Sequence, residues 1–197
     1  MILPSSTLKT HISFEQKARA KAALQRELQW VQETRRPLLI LPQELQEETG
    51  GALLLEMLPG LLSLDISIII RGRGSAAIGT LLTTIHQKYP EHIAILPDTQ
   101  ESLTQMVRGG DIALFCKDPT GSKELSLCLA HGTIPIAPDH EGSALLSYDP
   151  IQESGNAFLF QKINPWHAFA SIVRACETFK LPFDWRTIQR HCMETNT

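Results

Sequence analysis

The sequence predicts an α/β fold with a single doubly wound parallel sheet and helices on both faces. Two observations lead to this prediction. Short apolar runs alternate with amphipathic helical segments throughout the chain, and the turns between them are short. The apolar runs show no polar alternation, which is typical of strands buried on both faces of a parallel sheet. Such folds bind ligands at the carboxyl ends of their strands, near the point where the strand order reverses.

The first predicted helix covers residues 14–30 and has a recognisable start and stop. Ser13 is a candidate N-cap, and Gln16 stands three positions later, as a capping box requires. Pro37 ends the helical region, because the residue before a proline disfavours helical backbone angles. Apolar residues recur at helical spacing at Leu24, Leu28 and Val31.

The remaining elements continue the alternation. The predicted strands cover residues 38–41, 65–70, 93–96, 111–115, 133–137 and 157–160. The further predicted helices cover residues 50–62, 76–89, 101–107, 123–131, 166–178 and 184–193. Pro90 closes one of these helices, and Gly132 is a typical residue at a helix C-terminus. The 197 residues suit one domain. We expect residues 1–13 to be extended or disordered and residues 184–197 to form a closing helix.

Composition excludes several classes of protein. The formal net charge of -3 argues against nucleic-acid binding, which normally needs a basic face. No apolar run reaches the roughly 18 residues that a membrane span needs, and the N-terminus lacks the pattern of a secretory signal. The four cysteines form no CxxC pair and have no metal-site spacing. They predict reduced, buried thiols in a cytoplasmic protein without a metal site.

The first candidate ligand site is the turn Gly72-Arg73-Gly74, between a predicted strand and a predicted helix. Glycines let backbone N–H groups approach a phosphate, and a helix N-terminus favours its charge. Arg71 and Arg73 can add direct phosphate contacts. A tight turn without a ligand explains the same residues, because Ala77 stands where a third glycine would be expected.

Two other loops carry polar residues at predicted strand ends. Asp118 and Glu124 can accept hydrogen bonds from sugar hydroxyls, although helix-capping acids around a Pro-Thr-Gly turn explain them equally well. Residues 139–141, Asp-His-Glu, can do acid–base chemistry, with solvated loop residues as the simpler interpretation. Core packing is the expected role of the tryptophans Trp30, Trp166 and Trp185.

Read in order, these segments resemble the C-terminal half of the bacterial glycogen synthase and plant starch synthase family. The resemblance is carried by Lys17–Gln25, Gly72-Arg73-Gly74, Gly109-Gly110-Asp111, Gly132-Thr133-Ile134-Pro135, Asn164-Pro165-Trp166 and Trp185–Met193. Members of this family are ADP-glucose-dependent GT-B glycosyltransferases with two Rossmann-like domains. The resemblance therefore implies one Rossmann-like domain of the GT-B type, with ADP or ADP-glucose as a possible ligand. It also implies that the last helix crosses back to the other domain of the enzyme.

The departures from the family fall on donor-binding positions. The donor-phosphate Arg and Lys of the family correspond to Glu44 and Thr49, so an anion replaces a cation opposite a diphosphate. Asp118 stands near the position of the glutamate that holds the donor sugar, with shifted local spacing, and is the candidate catalytic residue beside the degenerate positions Glu44 and Thr49. The ligand-binding residues that the resemblance implies are Gly72, Arg73, Gly74, Asp118, Gly121, His140 and Gly142.

Three hypotheses follow from the sequence. The leading one is a synthase-like domain that is catalytically incompetent alone, a pseudoenzyme, because donor-binding cations are replaced and 197 residues leave no room for an acceptor domain. The second is the donor half of a split, active synthase, completed by a separate acceptor-domain polypeptide. The third is a regulatory module that binds a nucleotide sugar or a glucan. None of them involves a metal, another cofactor, a nucleic acid or a membrane.

Overall fold

The computed structural model describes residues 13–46 and 50–195 and contains, within them, one parallel sheet of six strands. The strands are β1 Leu38–Leu41, β2 Ser67–Gly72, β3 Ile93–Pro97, β4 Ile112–Leu114, β5 Ile134–Pro138 and β6 Phe158–Phe160. The helices are α1 Phe14–Glu27, α2 Gly51–Leu61, α3 Ala76–Lys88, α4 Gln100–Gly109, α5 Lys123–Ala130, α6 Pro165–Phe179 and α7 Pro182–Glu194. Each predicted element is present, with ends that differ from the prediction by a few residues at most.

The strand order is β3-β2-β1-β4-β5-β6, and every neighbouring pair is parallel. This order confirms the predicted doubly wound fold. The chain starts in the middle of the sheet and moves first to one edge, then to the other, so the order reverses between β1 and β4. All four residues of β1 are buried, as expected for a central strand covered on both faces.

The start of α1 agrees with the prediction, but its end does not. The Ser13 side chain accepts a hydrogen bond from the Gln16 backbone N–H, and the Gln16 side chain accepts one from the Ser13 N–H, which confirms the capping box. The helix stops at Glu27 because Gln29 adopts a left-handed φ of 59°. The predicted end at residue 30 was therefore three residues too late, and Val31, which has helical spacing with Leu24 and Leu28, is 82% exposed and does not continue the buried face of α1.

The last helix belongs to the core of this domain. Helix α7 packs against α5 and α6, and its residues Trp185, Ile188 and Cys192 are buried. The Tyr148 hydroxyl donates a 2.6 Å hydrogen bond to Asp184, which ties α7 to the loop before β6. Helix α7 therefore shares one hydrophobic core with the sheet.

Two expectations about buried side chains have different outcomes. All four cysteines are buried and unpaired, which confirms the prediction for the thiols. Trp30 and Trp185 are buried, but Trp166 is 83% exposed, so the expectation that it packs in the core was wrong. It stands in the first turn of α6, where the helix begins at the molecular surface. Among the described helices, none is long and apolar enough to cross a membrane.

Candidate functional site

The candidate site lies at the carboxyl ends of β1 and β2, where the loop after β1 meets the turn after β2. The Leu45 N–H donates to the Arg73 carbonyl oxygen at 3.0 Å, and the Ser75 N–H donates to the Leu45 carbonyl oxygen at 3.0 Å. Leu45 and Gly74 thus form a short parallel bridge. A cavity of about 270 Å³ lies beside this bridge, between the Gly72-Arg73-Gly74 turn and the start of α3.

Both glycines of this turn have a packing role. A Cβ atom added to Gly74 would lie 2.0 Å from the Leu45 carbonyl oxygen, and one added to Gly72 would lie 2.9 Å from the Leu96 carbonyl oxygen. The Arg73 N–H donates to the Arg71 carbonyl oxygen at 2.7 Å, so this N–H already has an acceptor within the chain. Close approach of backbone segments therefore accounts for the glycines. Phosphate binding at this turn stays a prediction.

Arg71, at the end of β2, is buried and paired with two carboxylates. Its Nη1 donates a 2.8 Å hydrogen bond to Glu124 and a 3.3 Å hydrogen bond to the Pro42 carbonyl oxygen. Its Nε lies 2.7 Å from Asp98 Oδ1, an ion-pair contact in which the N–H direction misses hydrogen-bond geometry. Arg71 is 7% exposed, so most of its charge is neutralised inside the protein.

Arg73 extends this cluster towards solvent. Its Nε lies 3.4 Å from Glu44 Oε2 and 3.9 Å from Asp98 Oδ2. Glu44 also accepts a short hydrogen bond from Gln46 Nε2, which orients its carboxylate. The cluster joins two guanidinium groups to three carboxylates, Asp98, Glu124 and Glu44. Its formal charge is therefore one negative unit, where a diphosphate would need positive charge.

The second group of predicted site residues follows β4 and β5. Asp118 accepts hydrogen bonds from the Thr120 N–H at 3.0 Å and the Thr120 hydroxyl at 2.7 Å. His140 Nε2 lies 3.8 Å from Asp118 Oδ2. Partial burial acts to raise the pKa of the Asp118 carboxyl, but the Thr120 hydrogen bonds and the His140 charge outweigh it, so the net pKa is lowered. This carboxylate is suited to accept hydrogen bonds and is poorly suited to donate a proton at neutral pH.

Gly121 and Gly142 stand in open loops with left-handed backbone. Their φ values are +73° and +80°, and a Cβ atom added to either glycine would meet nothing within 4 Å. In the described ranges, no hydrogen bond or ion pair links the Asp118–His140 pair to the arginine cluster. Thr49 lies outside the described residues. Across residues 13–46 and 50–195, no group of three or more potential ligands is arranged to hold a metal ion.

Comparison with known proteins gives glycogen synthases among the relatives of this chain. No protein-family model matches the chain. It is 29% identical over 179 residues to a glycogen synthase of Desulfitobacterium hafniense, across 88% of this chain and 38% of that protein. It is also 29% identical over 158 residues to glycogen synthase 1 of Synechocystis, across 77% of this chain and 33% of that protein.

The fold matches the same kind of protein. The catalytic domain of starch synthase IV from Arabidopsis thaliana, bound to ADP and acarbose, aligns with a TM-score of 0.77 at 21% identity. The alignment covers 91% of this chain and 39% of that one. The chain is similar to the C-terminal domain of glycogen and starch synthases. The predicted resemblance and the GT-B type of fold are thereby confirmed. The synthase-like domain spans 33–38% of the length of the two curated relatives described above.

The sequence did not reveal the partners of Arg71 in this synthase-like domain. Asp98 and Glu124 are far from Arg71 along the chain, and the sequence leaves Glu124 open between a contact for sugar hydroxyls and a helix-capping acid. One signal was available. Arg71 and Asp98 stand at the ends of β2 and β3, which are adjacent parallel strands, so their side chains meet at one edge of the sheet.

Proposed function

We propose that this synthase-like domain does not transfer glucose from ADP-glucose by itself. The observation that carries the proposal is the charge of the cluster at the carboxyl edge, where Arg71 and Arg73 are already paired with Asp98, Glu124 and Glu44. A site for a diphosphate has to offer cations that the protein does not neutralise. Here a diphosphate would have to displace carboxylates from both guanidinium groups.

The repulsion between Glu44 and a bound diphosphate is large enough to lower the affinity for a nucleoside diphosphate sugar considerably. Two like charges about 4 Å apart repel by about 4 kcal/mol at an effective dielectric constant of about 20. That energy corresponds to about a thousandfold in binding, and it is an upper limit here because Glu44 is partly exposed and its charge is screened by Arg73 at 3.4 Å. The resemblance places a cation at position 44, so Glu44 removes an attraction and adds this repulsion.

A transfer assay tests the proposal directly. The purified chain is incubated with ADP-glucose and glycogen, and we expect no glucose incorporation above the blank without protein. Robust turnover by the chain would overturn the proposal. The assay measures glucose transfer, so nucleotide binding at another site on the chain does not affect its result.

A charge-reversal variant tests the physical reason. Glu44→Arg changes the cluster from two cations and three anions to three cations and two anions, so we expect ADP to bind about tenfold tighter or more than to the unmodified chain. Glu91→Arg is the matched control, because Glu91 is exposed and precedes β3 at the opposite edge of the sheet. Equal ADP affinity in the Glu44→Arg and Glu91→Arg variants would contradict the electrostatic explanation.

The split-synthase hypothesis was suggested by the presence of the closing helix, which would need a second polypeptide to pack against. However, α7 buries Trp185 and Ile188 in this domain's own core. The helix therefore has a structural role without a second polypeptide.

A glucan-binding module is the second candidate, and Trp166 favours it. This side chain is 83% exposed beside a groove of about 490 Å³, whose lining includes Asp139, Gln161 and His167. An exposed indole ring can pack against the apolar face of a sugar ring, while neighbouring polar side chains bind the hydroxyls. Titration with maltoheptaose tests it. We expect Trp166→Ala to abolish binding and Phe183→Ala, which also removes an exposed ring, to preserve it.

A further inference from the structure

A separate cavity of about 490 Å³ lies at the opposite edge of the sheet, between α1, α7 and the end of α6. Arg35 and Asp111, which line it, precede β1 and β4, so the cavity is at the amino edge of the sheet. The candidate donor site is at the carboxyl edge. The volume of the cavity at the amino edge is within the range of about 300–1,000 Å³ that is usual for small-molecule sites.

The charge of this cavity is the reverse of that at the carboxyl edge. Its charged lining residues are Lys17, Lys21, Arg35, Lys180, Arg186 and Asp111. Lys21 is paired with Asp111 at 2.7 Å, and Lys180 is paired with Glu177 at 2.7 Å. No side-chain nitrogen of Lys17, Arg35 or Arg186 lies within 4.0 Å of a carboxylate in the described part of the chain, although the Arg35 backbone N–H donates to Glu33 at 2.9 Å. Three cations around one cavity therefore have no direct ion pair among the described residues.

Lys17 is the most informative of these cations because it is only 5% exposed. Its Nζ donates a 2.8 Å hydrogen bond to Thr133 Oγ1, and that hydroxyl donates in turn to the Val107 carbonyl oxygen at 2.6 Å. An ammonium group has three donors. Thr133 is its one acceptor among the described residues, which leaves donor capacity for another group.

The nearby thiols do not compensate this charge. Burial raises the pKa of Cys128 to about 12, and burial also raises the pKa of Cys192, so both are neutral at pH 7. Burial lowers the pKa of Lys17 to about 8, while the Asp111 charge acts in the other direction. Lys17 therefore still carries its charge at pH 7 for most of the time.

Aromatic side chains form the apolar part of the cavity. Phe179 and Trp185 make an edge-to-face pair with ring centroids 5.0 Å apart. The Arg186 guanidinium lies 5.8 Å from the centroid of the Phe14 ring. The cavity thus combines apolar ring surfaces with positive charge.

We propose that this cavity binds a small phosphorylated ring compound, with its phosphate near Lys17, Arg35 and Arg186 and its ring against Phe179 and Trp185. A phosphomonoester carries about -1.5 to -2 at neutral pH, which matches three cations without a direct ion pair better than a single carboxylate does. Flat rings pack favourably on aromatic side chains. This site is independent of the proposed function, because it shares no residue with the cluster around Arg71 and Arg73.

Calorimetric titration of the full chain with three probes tests the proposal. AMP offers a ring and a phosphate, adenosine offers the ring alone, and inorganic phosphate offers the anion alone. We expect AMP to bind about tenfold tighter or more than either of the other two, because only AMP makes both kinds of contact. Absence of AMP binding at about 1 mM would overturn the proposal.

Variants locate the binding. Arg186→Gln and Arg35→Gln replace exposed side chains, so they leave the core intact, and each is expected to weaken AMP binding by about fivefold or more. Arg190→Gln is the matched control on α7, since Arg190 is exposed and does not line the cavity. AMP binding that responds to Glu44→Arg but not to Arg186→Gln would place the ligand at the carboxyl edge and overturn the proposal. Glucose transfer by the chain would overturn only the proposed function.

Discussion

Gly74 occupies a position that no other residue fits without a shift of the backbone. The Leu45 carbonyl oxygen would lie 2.0 Å from an added Cβ atom, and this oxygen also accepts the Ser75 N–H. We expect Gly74→Ala to lower the free energy of unfolding by about 2–4 kcal/mol, because the loop after β1 must move away. Urea unfolding measures the change.

Gly79 provides the control for this prediction, since it lies in α3 and an added Cβ would meet nothing within 4 Å. Gly79→Ala should raise the free energy of unfolding by about 0.5–1 kcal/mol, the usual gain from replacing glycine in a helix. A Gly74→Ala variant as stable as Gly79→Ala would refute the packing role of Gly74.

Lys17 makes the stability of the protein depend on pH. Its pKa is lowered from 10.5 to about 8, mainly by burial, while Asp111 raises it most, Cys128 and Cys192 raise it less, and Lys21 lowers it least. Between about pH 8 and pH 10.5 the unfolded chain binds more protons at this group than the folded chain, so its contribution to stability rises with pH. Below pH 8 both states are protonated and the cost of burying the charge is fully present.

The test compares the unmodified chain with Lys17→Met at each pH. The difference in unfolding free energy, unmodified chain minus variant, should rise by about 2 kcal/mol between pH 7.5 and 9.5, at about 1.4 kcal/mol per pH unit above the folded pKa. The buried thiols titrate in the opposite sense, but they are present in both proteins and cancel. A difference that is constant over this range would contradict the lowered pKa of Lys17.

The local strand, turn or helix around each candidate residue could be predicted from sequence far better than the partners of that residue in the fold. The Gly-Arg-Gly turn was found because a strand, a turn and a helix follow one another directly. The pairing of Arg71 with Glu124 depends on α5 beginning beside the end of β2, and no local pattern records that arrangement. The same applies to Lys17 and Thr133, which are 116 residues apart and meet only in the folded protein.

At the scale of elements, Asp111 joins α1 to the two central strands. Its carboxylate accepts a 2.7 Å hydrogen bond from Lys21 on α1 and a 2.9 Å hydrogen bond from the Leu38 N–H at the start of β1. Asp111 directly precedes β4 and is buried. One side chain therefore connects α1, β1 and β4 at the amino edge of the sheet.

Asp111→Asn should lower the free energy of unfolding by about 3–5 kcal/mol, because it leaves the Lys21 charge buried without its counter-ion. Asp65→Asn is the control, because Asp65 pairs with Arg36 while its own side chain is 81% exposed. Exposed pairs of this kind contribute at most about 1 kcal/mol. Similar losses in the two variants, measured by urea unfolding, would show that Asp111 does not act as a buried counter-ion.

The elements themselves were predictable because most carry their own signals. Ser13, Ser75, Ser122 and Asn164 all act as N-caps with side-chain hydrogen bonds, and uninterrupted apolar runs mark the strands. Local sequence signals failed to predict the C-terminal end of α1, which lies at the molecular surface. Val31 has the right spacing for a helical face, but the left-handed Gln29 intervenes.

At the scale of the whole molecule, the carboxyl and amino edges of the sheet differ in whether their cationic side chains are paired with carboxylates. At the carboxyl edge, Arg71 and Arg73 are neutralised by carboxylates. At the amino edge, Lys17, Arg35 and Arg186 line a cavity, and within residues 13–46 and 50–195 none of their side chains forms a direct ion pair. The net charge of -3 hides this difference, because it sums over both edges. The fold alone would direct attention to the carboxyl edge, whereas the distribution of unpaired charge directs it to the opposite one.

The whole molecule also includes α7 as a packed part of its core, and this has a measurable consequence. Trp185 is 6% exposed and packs edge-to-face with Phe179, whereas Phe183, two residues earlier, is 67% exposed. We expect Trp185→Ala to lower the free energy of unfolding by about 3–5 kcal/mol, the usual cost of removing a large buried ring. Phe183→Ala should change it by about 0.5 kcal/mol or less. Equally small effects would mean that α7 does not need this domain for its packing. A helix of that kind would be free to pack on another polypeptide, and the split-synthase alternative would regain its support.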